Sequence, residues 1–207
     1  ILKLAFSYIR YYKKQTLALF FGMILSAAIL TGIGSLFYSG RQAALENARQ
    51  EYGDWHYALW CSEPWFEDFQ KNPEGKGFQI ETYGIKTIKK TAEEPFEMEF
   101  VSADSSYLKM MGRKLLEGKM PEVSSEIAMD RHALRNLDLP EELGCTIELD
   151  GQTFTLCGIL TEMPEKLQED RLEIFVSSTL DYGTEGDFLY LKFREKGEVY
   201  KQAAAFA

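Results

Sequence analysis

Residues 16–38, from Thr16 to Tyr38, contain no charged side chain over 23 consecutive positions. At about 1.5 Å per residue an α-helix of this length reaches roughly 34 Å, enough to cross a hydrocarbon core of about 30 Å with some tilt. A buried helix of a water-soluble protein carries a polar stripe where one face meets solvent. This run carries only glycine, alanine, serine and threonine among its bulky apolar residues, and short hydroxyls can bond back to their own helix. A cleaved signal peptide is the competing interpretation, but its apolar region spans about 7–15 residues and ends in a small-x-small site. Leu36-Phe37-Tyr38 is a poor cleavage region, so the run reads as a membrane-spanning helix.

Charge is divided around it. Lys3, Arg10, Lys13 and Lys14 precede the run with no acid among residues 1–15, a local +4. The whole chain of 207 residues has a formal charge of −9, so the remainder carries −13. The excess of Lys and Arg before the run predicts a cytoplasmic N-terminus and an extracytoplasmic domain from residue 39 onward. Lys3, Ser7, Arg10 and Lys14 share one helical face, and Leu2, Phe6 and Ile9 another. Residues 1–15 are therefore expected to form an amphipathic basic segment beside anionic lipid headgroups. An acidic domain repels phosphate backbones, which argues against nucleic acid as a partner.

Within the run, Ala27, Thr31 and Ser35 recur at a spacing of four, and Ala28 with Gly32 forms a second pair. Small residues let a second helix approach closely, so these five are candidates for helix packing within the membrane.

Beyond Tyr38, Arg41 to Gln50 is rich in good helix formers and predicts a helical stalk over 39–53 that ends at Gly53. Strands and helices then interleave. Trp55 to Cys61 reads as a strand, and Glu63 to Lys71 as a helix with Ser62 as N-cap, Pro64 in its first turn and Trp65, Phe66 and Phe69 on one face. Two short strands are expected over 78–89 around a break at Tyr83-Gly84. Glu97 to Val101 is another strand, with Phe96, Met98 and Phe100 on one face. Ser105 to Leu116 reads as a helix, Ile127 to Met129 as a strand and Arg131 to Leu137 as a helix. Cys145–Leu149 and Gln152–Cys157 form a hairpin, because Asp150-Gly151 favours a type I′ turn. Its register sets 147 opposite 154 and 145 opposite 156, with Ile147, Leu149, Phe154 and Leu156 on the buried face. Leu172 to Val176 and Phe188 to Phe193 are strands, and Glu198 to Phe206 is helical. The pattern predicts a mixed α+β domain over 54–207, with room for two lobes.

Little in the domain suggests chemistry. The hairpin register puts Cys157 on the face opposite Cys145, which favours free thiols, although Cys61 remains within reach of either. His56 and His132 lie far apart and no metal-ligand spacing occurs, so no metal site is expected. No phosphate-binding loop or nucleophile elbow is present, so catalytic and cofactor residues are expected to be none. The carboxylate runs Glu93-Glu94, Glu141-Glu142 and Glu162 to Asp170 look like solvated surface. Trp55, Trp60, Trp65 and Phe66 read as core, with a peptide- or lipid-binding surface as the alternative.

The order of features resembles the FtsX/MacB-like family of ABC-transporter permeases. Met111-Gly112-Arg113 to Gly118-Lys119-Met120-Pro121 is similar to that family's Gly-Arg…Gly-Arg-x-Pro segment, with Lys119 in place of the second arginine. Ser125 to Met129, Leu143 to Leu149 and Thr153 to Leu160 follow in the order of the family's next elements. The resemblance implies a non-enzymatic permease subunit in the cell membrane. Its partners would be membrane lipid, a separate cytoplasmic ABC ATPase that binds the ATP, and a second permease copy or duplicated permease. The extracytoplasmic work would be peptide or lipoprotein export, resistance, or control of cell-wall enzymes. The resemblance also implies that the chain stops short of the next membrane helix. The rival class is the sensor domain of a single-pass signalling receptor, which shares the topology. A membrane-anchored hydrolase is a third class, disfavoured by the lack of a nucleophile constellation.

Overall fold

The computed structural model describes residues 10–61, 63–71, 80–92, 96–164, 171–194, 199 and 201. It divides into two units, 1–47 and 48–207. Helix α1 (Lys13–Tyr52) runs without interruption through the uncharged segment and the expected stalk. Gly53 ends it in the left-handed region at φ +88°. Residues 1–9, which hold Lys3, Ser7 and the apolar face of the amphipathic segment, lie outside the described residues, as do Ser62 and the side chains of Pro64 and Trp65.

The second unit is built on one mixed sheet of nine strands: β1 (Tyr57–Cys61), β2 (Ile80–Ala92), β3 (Glu97–Ala103), β4 (Leu115–Gly118), β5 (Glu126–Asp130), β6 (Thr146–Leu149), β7 (Gln152–Leu160), β8 (Arg171–Val176) and β9 (Gly186–Phe193). The order across the sheet is β1-β9-β2-β3-β8-β5-β7-β4, with β6 beside β7. Two pairs are parallel, β3 with β8 and β5 with β7. The sheet is continuous, so the fold is α+β without a second lobe among the described residues.

Helices α2 (Glu63–Lys71), α3 (Ser105–Met110) and α4 (Arg131–Asn136) pack on its faces. Alternation along each strand divides the core. Val101, Ala128 and Phe175 pack with Tyr107 and Met111 of the α3 region. Their neighbours Phe100, Met129 and Ile174 face the other way and pack with Ala133 and Leu134 of α4. Leu189, Leu191 and Phe193 of β9 enclose Phe69 of α2. Asp104 and Asp130 cap α3 and α4, accepting from Tyr107 N at 2.7 Å and Ala133 N at 2.8 Å.

The hairpin follows its expected register: Ile147 is opposite Phe154, Leu156 N donates to Cys145 O at 3.0 Å, and the four apolar residues are buried. Asp150 and Gly151 take φ +52° and +71°, as a type I′ turn requires. Other expectations need correction. Tyr83-Gly84 does not break a strand, because β2 runs through it. A Cβ on Gly84 would lie 2.6 Å from Tyr107 N and Cα, so the glycine admits the backbone of α3. The helix expected over 105–116 stops at Met110, and Gly112 at φ +66° turns the chain. Leu115 and its neighbours then form β4, paired with β7. Of the three residues expected on one face of β3, Met98 and Phe100 are buried and Phe96, just before the strand, is exposed. The strand residues expected at 78–79, Glu93-Glu94, residues 165–170 and most of the C-terminal helical stretch lie outside the described residues.

Candidate functional site

Helix α1 buries none of its residues, and its bulky apolar side chains from Leu17 to Phe37 are exposed on every side. It is the one helix among the described residues long and apolar enough to cross a membrane. Its threonines bond back to the helix, Thr31 Oγ1 donating to Ala27 O at 2.8 Å and Thr16 Oγ1 to Tyr12 O at 3.1 Å. That removes the need for outside partners in a medium without water. Nothing lies within 4 Å of a Cβ built on Gly22 or Gly32, so the face around Ala27, Ala28, Thr31, Gly32 and Ser35 is open.

The second unit holds a feature that the sequence did not announce, a buried ionic centre on the α3 side of the sheet. Glu99 of β3 and Glu173 of β8 are direct partners in the parallel register, so two carboxylates lie side by side. Lys86 of β2 joins them, Nζ donating to Glu99 Oε2 at 2.5 Å and Glu173 Oε1 at 2.6 Å. Tyr107 Oη donates to Glu173 Oε1 at 2.8 Å, and Arg113 Nη1 to Glu173 Oε2 at 3.3 Å. Arg113 Nη2 lies 2.9 Å from Asp130 Oδ2 as an ion pair that lacks hydrogen-bond alignment. The guanidinium also lies over the Phe175 ring, 5.2 Å from its centroid. Lys86, Glu99, Arg113, Asp130 and Glu173 are all buried and sum to a formal charge of −1. Arg171, half-exposed at the rim, offsets it as an ion pair with Glu99, Nη1 lying 2.7 Å from Oε1.

Burial disfavours charge on Glu173, but Lys86 and Arg113 outweigh it and hold the carboxyl below its ordinary value. Burial likewise opposes the charge on Lys86, and Glu173 and Glu99 reverse the balance and raise its pKa. For Asp130 burial wins over Arg113 and the pKa rises. Tyr107 is held well above its usual value by burial and by Glu173. Glu173 and Lys86 are thus each held in the charged form by their neighbours, which is the pattern of a structural brace.

The structure also locates the remaining candidates. Arg113 belongs to the segment that resembles the permease motif, and the motif's glycines have backbone roles. Gly118, at φ +78°, and Gly158 lie at the β4–β7 contact, where a Cβ on Gly158 would fall 2.2 Å from Lys119 O. Lys119, in the place of the family's second arginine, is exposed and pairs with Glu122 and Glu126, both at 3.0 Å. All three cysteines are free. Cys145 packs toward the α4 side and Cys157 toward the α3 side, on opposite faces as the register required. Trp55 and Phe66 are half-buried, but Trp60 is 69% exposed and stacks on Phe188, so it is not core. His56 Nδ1 accepts from Phe193 N at 3.1 Å, which explains that histidine within the fold. Among the described residues no group of three or more His, Cys, Asp or Glu is placed to hold a metal ion.

No protein-family model matches the sequence, and no curated protein matches it. Similar solved structures are found. In structure the chain resembles the extracytoplasmic domains of ABC-type permeases. A domain described as that of a permease protein from Porphyromonas gingivalis shares 14% identity over 63% of this chain and 67% of that one, at a TM-score of 0.42. The periplasmic region of MacB from Actinobacillus actinomycetemcomitans shares 11% over 68% and 70%, at 0.43. The extracellular domain of the noncanonic ABC-type transporter YknZ from Gram-positive bacteria shares 12% over 70% and 88%, at 0.42.

Proposed function

We propose that the chain is a membrane helix and extracytoplasmic domain of an ABC-transporter permease subunit, coupling ATP hydrolysed by a separate cytoplasmic ATPase to work outside the membrane. The observation that carries this is the uncharged stretch 16–38 of α1, a helix that buries none of its residues, preceded by four cations and followed by an acidic α+β unit bearing the permease-like segments in order. The cationic side faces the cytoplasm, in contact with lipid headgroups. Residues 16–38 span the bilayer, 39–53 continue as stalk, and 54–207 lie outside. Ala27, Thr31 and Ser35, with Ala28 and Gly32, form the face on which another membrane helix packs, in the same subunit or in a second permease copy. The domain itself carries out no catalysis. The extracytoplasmic work is export of peptides or lipoproteins, resistance, or control of cell-wall enzymes.

Affinity purification of the intact protein from membranes is expected to bring down an ABC ATPase in fixed proportion. Recovery with a histidine kinase or a methyl-accepting signalling module instead would replace this reading by that of a receptor sensor. With Cys61, Cys145 and Cys157 replaced by serine, a membrane-impermeant thiol reagent applied to whole cells should label a cysteine placed at exposed Ser105 and spare one placed at Lys13. The opposite pattern would reverse the topology.

A further inference from the structure

The pairing of β2 is uneven. Its partnership with β9 begins at Ile80, whereas its partnership with β3 begins only at Lys86, opposite Ala103. The chain leaves the sheet at Asp104, whose N–H donates to Ile85 O at 3.1 Å, and turns into α3. Among the described residues, Ile80 to Tyr83 are therefore paired on one side only. At about 3.3 Å per residue they present roughly 13 Å of open strand edge.

A cavity lies on this stretch. Its lining contains all four of these residues, walled by Asp104 and Ser106 at the start of α3 and by Arg194 after β9, and its volume is about 400 Å³. A second cavity of about 250 Å³ shares Glu81, Thr82 and Ser106 and extends the slot past Lys109. The first is of the size that holds ligands, but the lining is polar and its charges are mixed: Glu81 and Asp104 against Arg194 and Lys109. Such a rim selects neither an anion nor a cation. Its distinctive chemistry is the floor, the main-chain donors and acceptors of an open strand edge, which runs regularly from Thr82 and carries an irregularity between Ile80 and Thr82. An extended polypeptide satisfies that floor and fills the slot, because it repeats the same spacing in its own backbone. Edge strands elsewhere are blunted by charge or proline, and here Glu81 is the sole charge on the open stretch.

We propose that this slot binds an extended segment of a partner polypeptide, which adds to β2 along the line that β3 vacates at Asp104 and is recognised chiefly through its main chain. The inference is independent of the permease reading: failure to recover an ATPase leaves it standing, and failure of peptide binding leaves the transporter assignment untouched.

The test uses the full chain in detergent micelles and a phage-displayed library of short random peptides, with selected peptides resynthesised and measured by fluorescence anisotropy. Peptides are expected to bind the wild type and to lose at least about tenfold in affinity against Ser106→Trp, which fills the slot without touching a strand pairing. A melting temperature for that variant within a few degrees of wild type shows that it folds. Independently of any variant, backbone N-methylation at alternate residues of a selected peptide should lower affinity about tenfold, equivalent to about 1.4 kcal/mol. No selection above background would overturn the proposal, as would equal binding by Ser106→Trp, or by the N-methylated peptides. A dimer of the chain that forms without peptide and is abolished by Ser106→Trp would also overturn it, since a second copy would then occupy the slot.

Discussion

Deleting one member of the ionic centre leaves its partners charged in a medium that cannot solvate them. Lys86→Met or Arg113→Met is expected to cost about 3–5 kcal/mol, read from the denaturant midpoint, whereas deleting an exposed pair such as Arg131–Glu117 should cost under about 1 kcal/mol. The pH dependence has a definite sign. Glu173 has a lowered folded pKa, so its stabilisation is complete above the ordinary carboxylate value and is lost as pH falls through the folded value. Asp130 has a raised pKa and works in the opposite sense, its penalty easing as pH falls through its folded value. Acid titration of stability should therefore become shallower in Glu173→Gln and steeper in Asp130→Asn, and identical slopes would contradict the assignment. The thiols give a third check. Burial lifts Cys61 and Cys157 to about 11, so alkylation of the half-buried Cys157 should still be rising at pH 10, as followed by mass spectrometry.

At the scale of elements, glycine positions separate two physical causes. Gly84→Ala drives a Cβ into the backbone of α3 and should cost roughly 1–3 kcal/mol by overpacking. Gly112 faces open space, so Gly112→Ala meets only the strain of a positive φ, about 1 kcal/mol. Calorimetric melting of the two variants distinguishes them. Most elements were legible because their signals are local: the Asp150-Gly151 turn, the alternation of Phe154 and Leu156, the run of small and apolar residues in α1. The ionic centre was not legible, because Phe96-Glu97-Met98-Glu99-Phe100 alternates like a strand with one wet face. Only the pairing of β3 with β8, across some seventy residues, and the packing of Tyr107, Met111 and Arg113 over that face show that it is covered. Tyr83-Gly84 misled for a related reason, since the need for glycine came from Tyr107, not from its own neighbours. The unpaired start of β2 was equally invisible, being a property of where β3 ends.

At the scale of the whole molecule, α1 decides where the chain resides. Leu25→Arg places a guanidinium mid-helix, at a cost of about 2.5–3.5 kcal/mol to insertion. A reduced fraction resistant to alkaline carbonate extraction is expected, with unchanged extraction arguing against a spanning role. The packing face proposed around Gly32 belongs to the same scale, because small residues in a membrane helix act only where another helix approaches.

The position of β9 has a temporal consequence. The strand made last among the nine lies between β1 and β2, two of the earliest, and β8 lies between β3 and β5. Until Phe193 has emerged, β1 has no neighbour to pair with and half of β2 has none either. Local nuclei such as the β6–β7 hairpin can form as the chain is made, but the sheet closes only when its C-terminal strands are delivered. Folding should thus be slow for the domain's size and incompatible with strand-by-strand completion during synthesis. Chains truncated before Gly186 should remain protease-sensitive, and those extending past Phe193 should acquire resistance in one step.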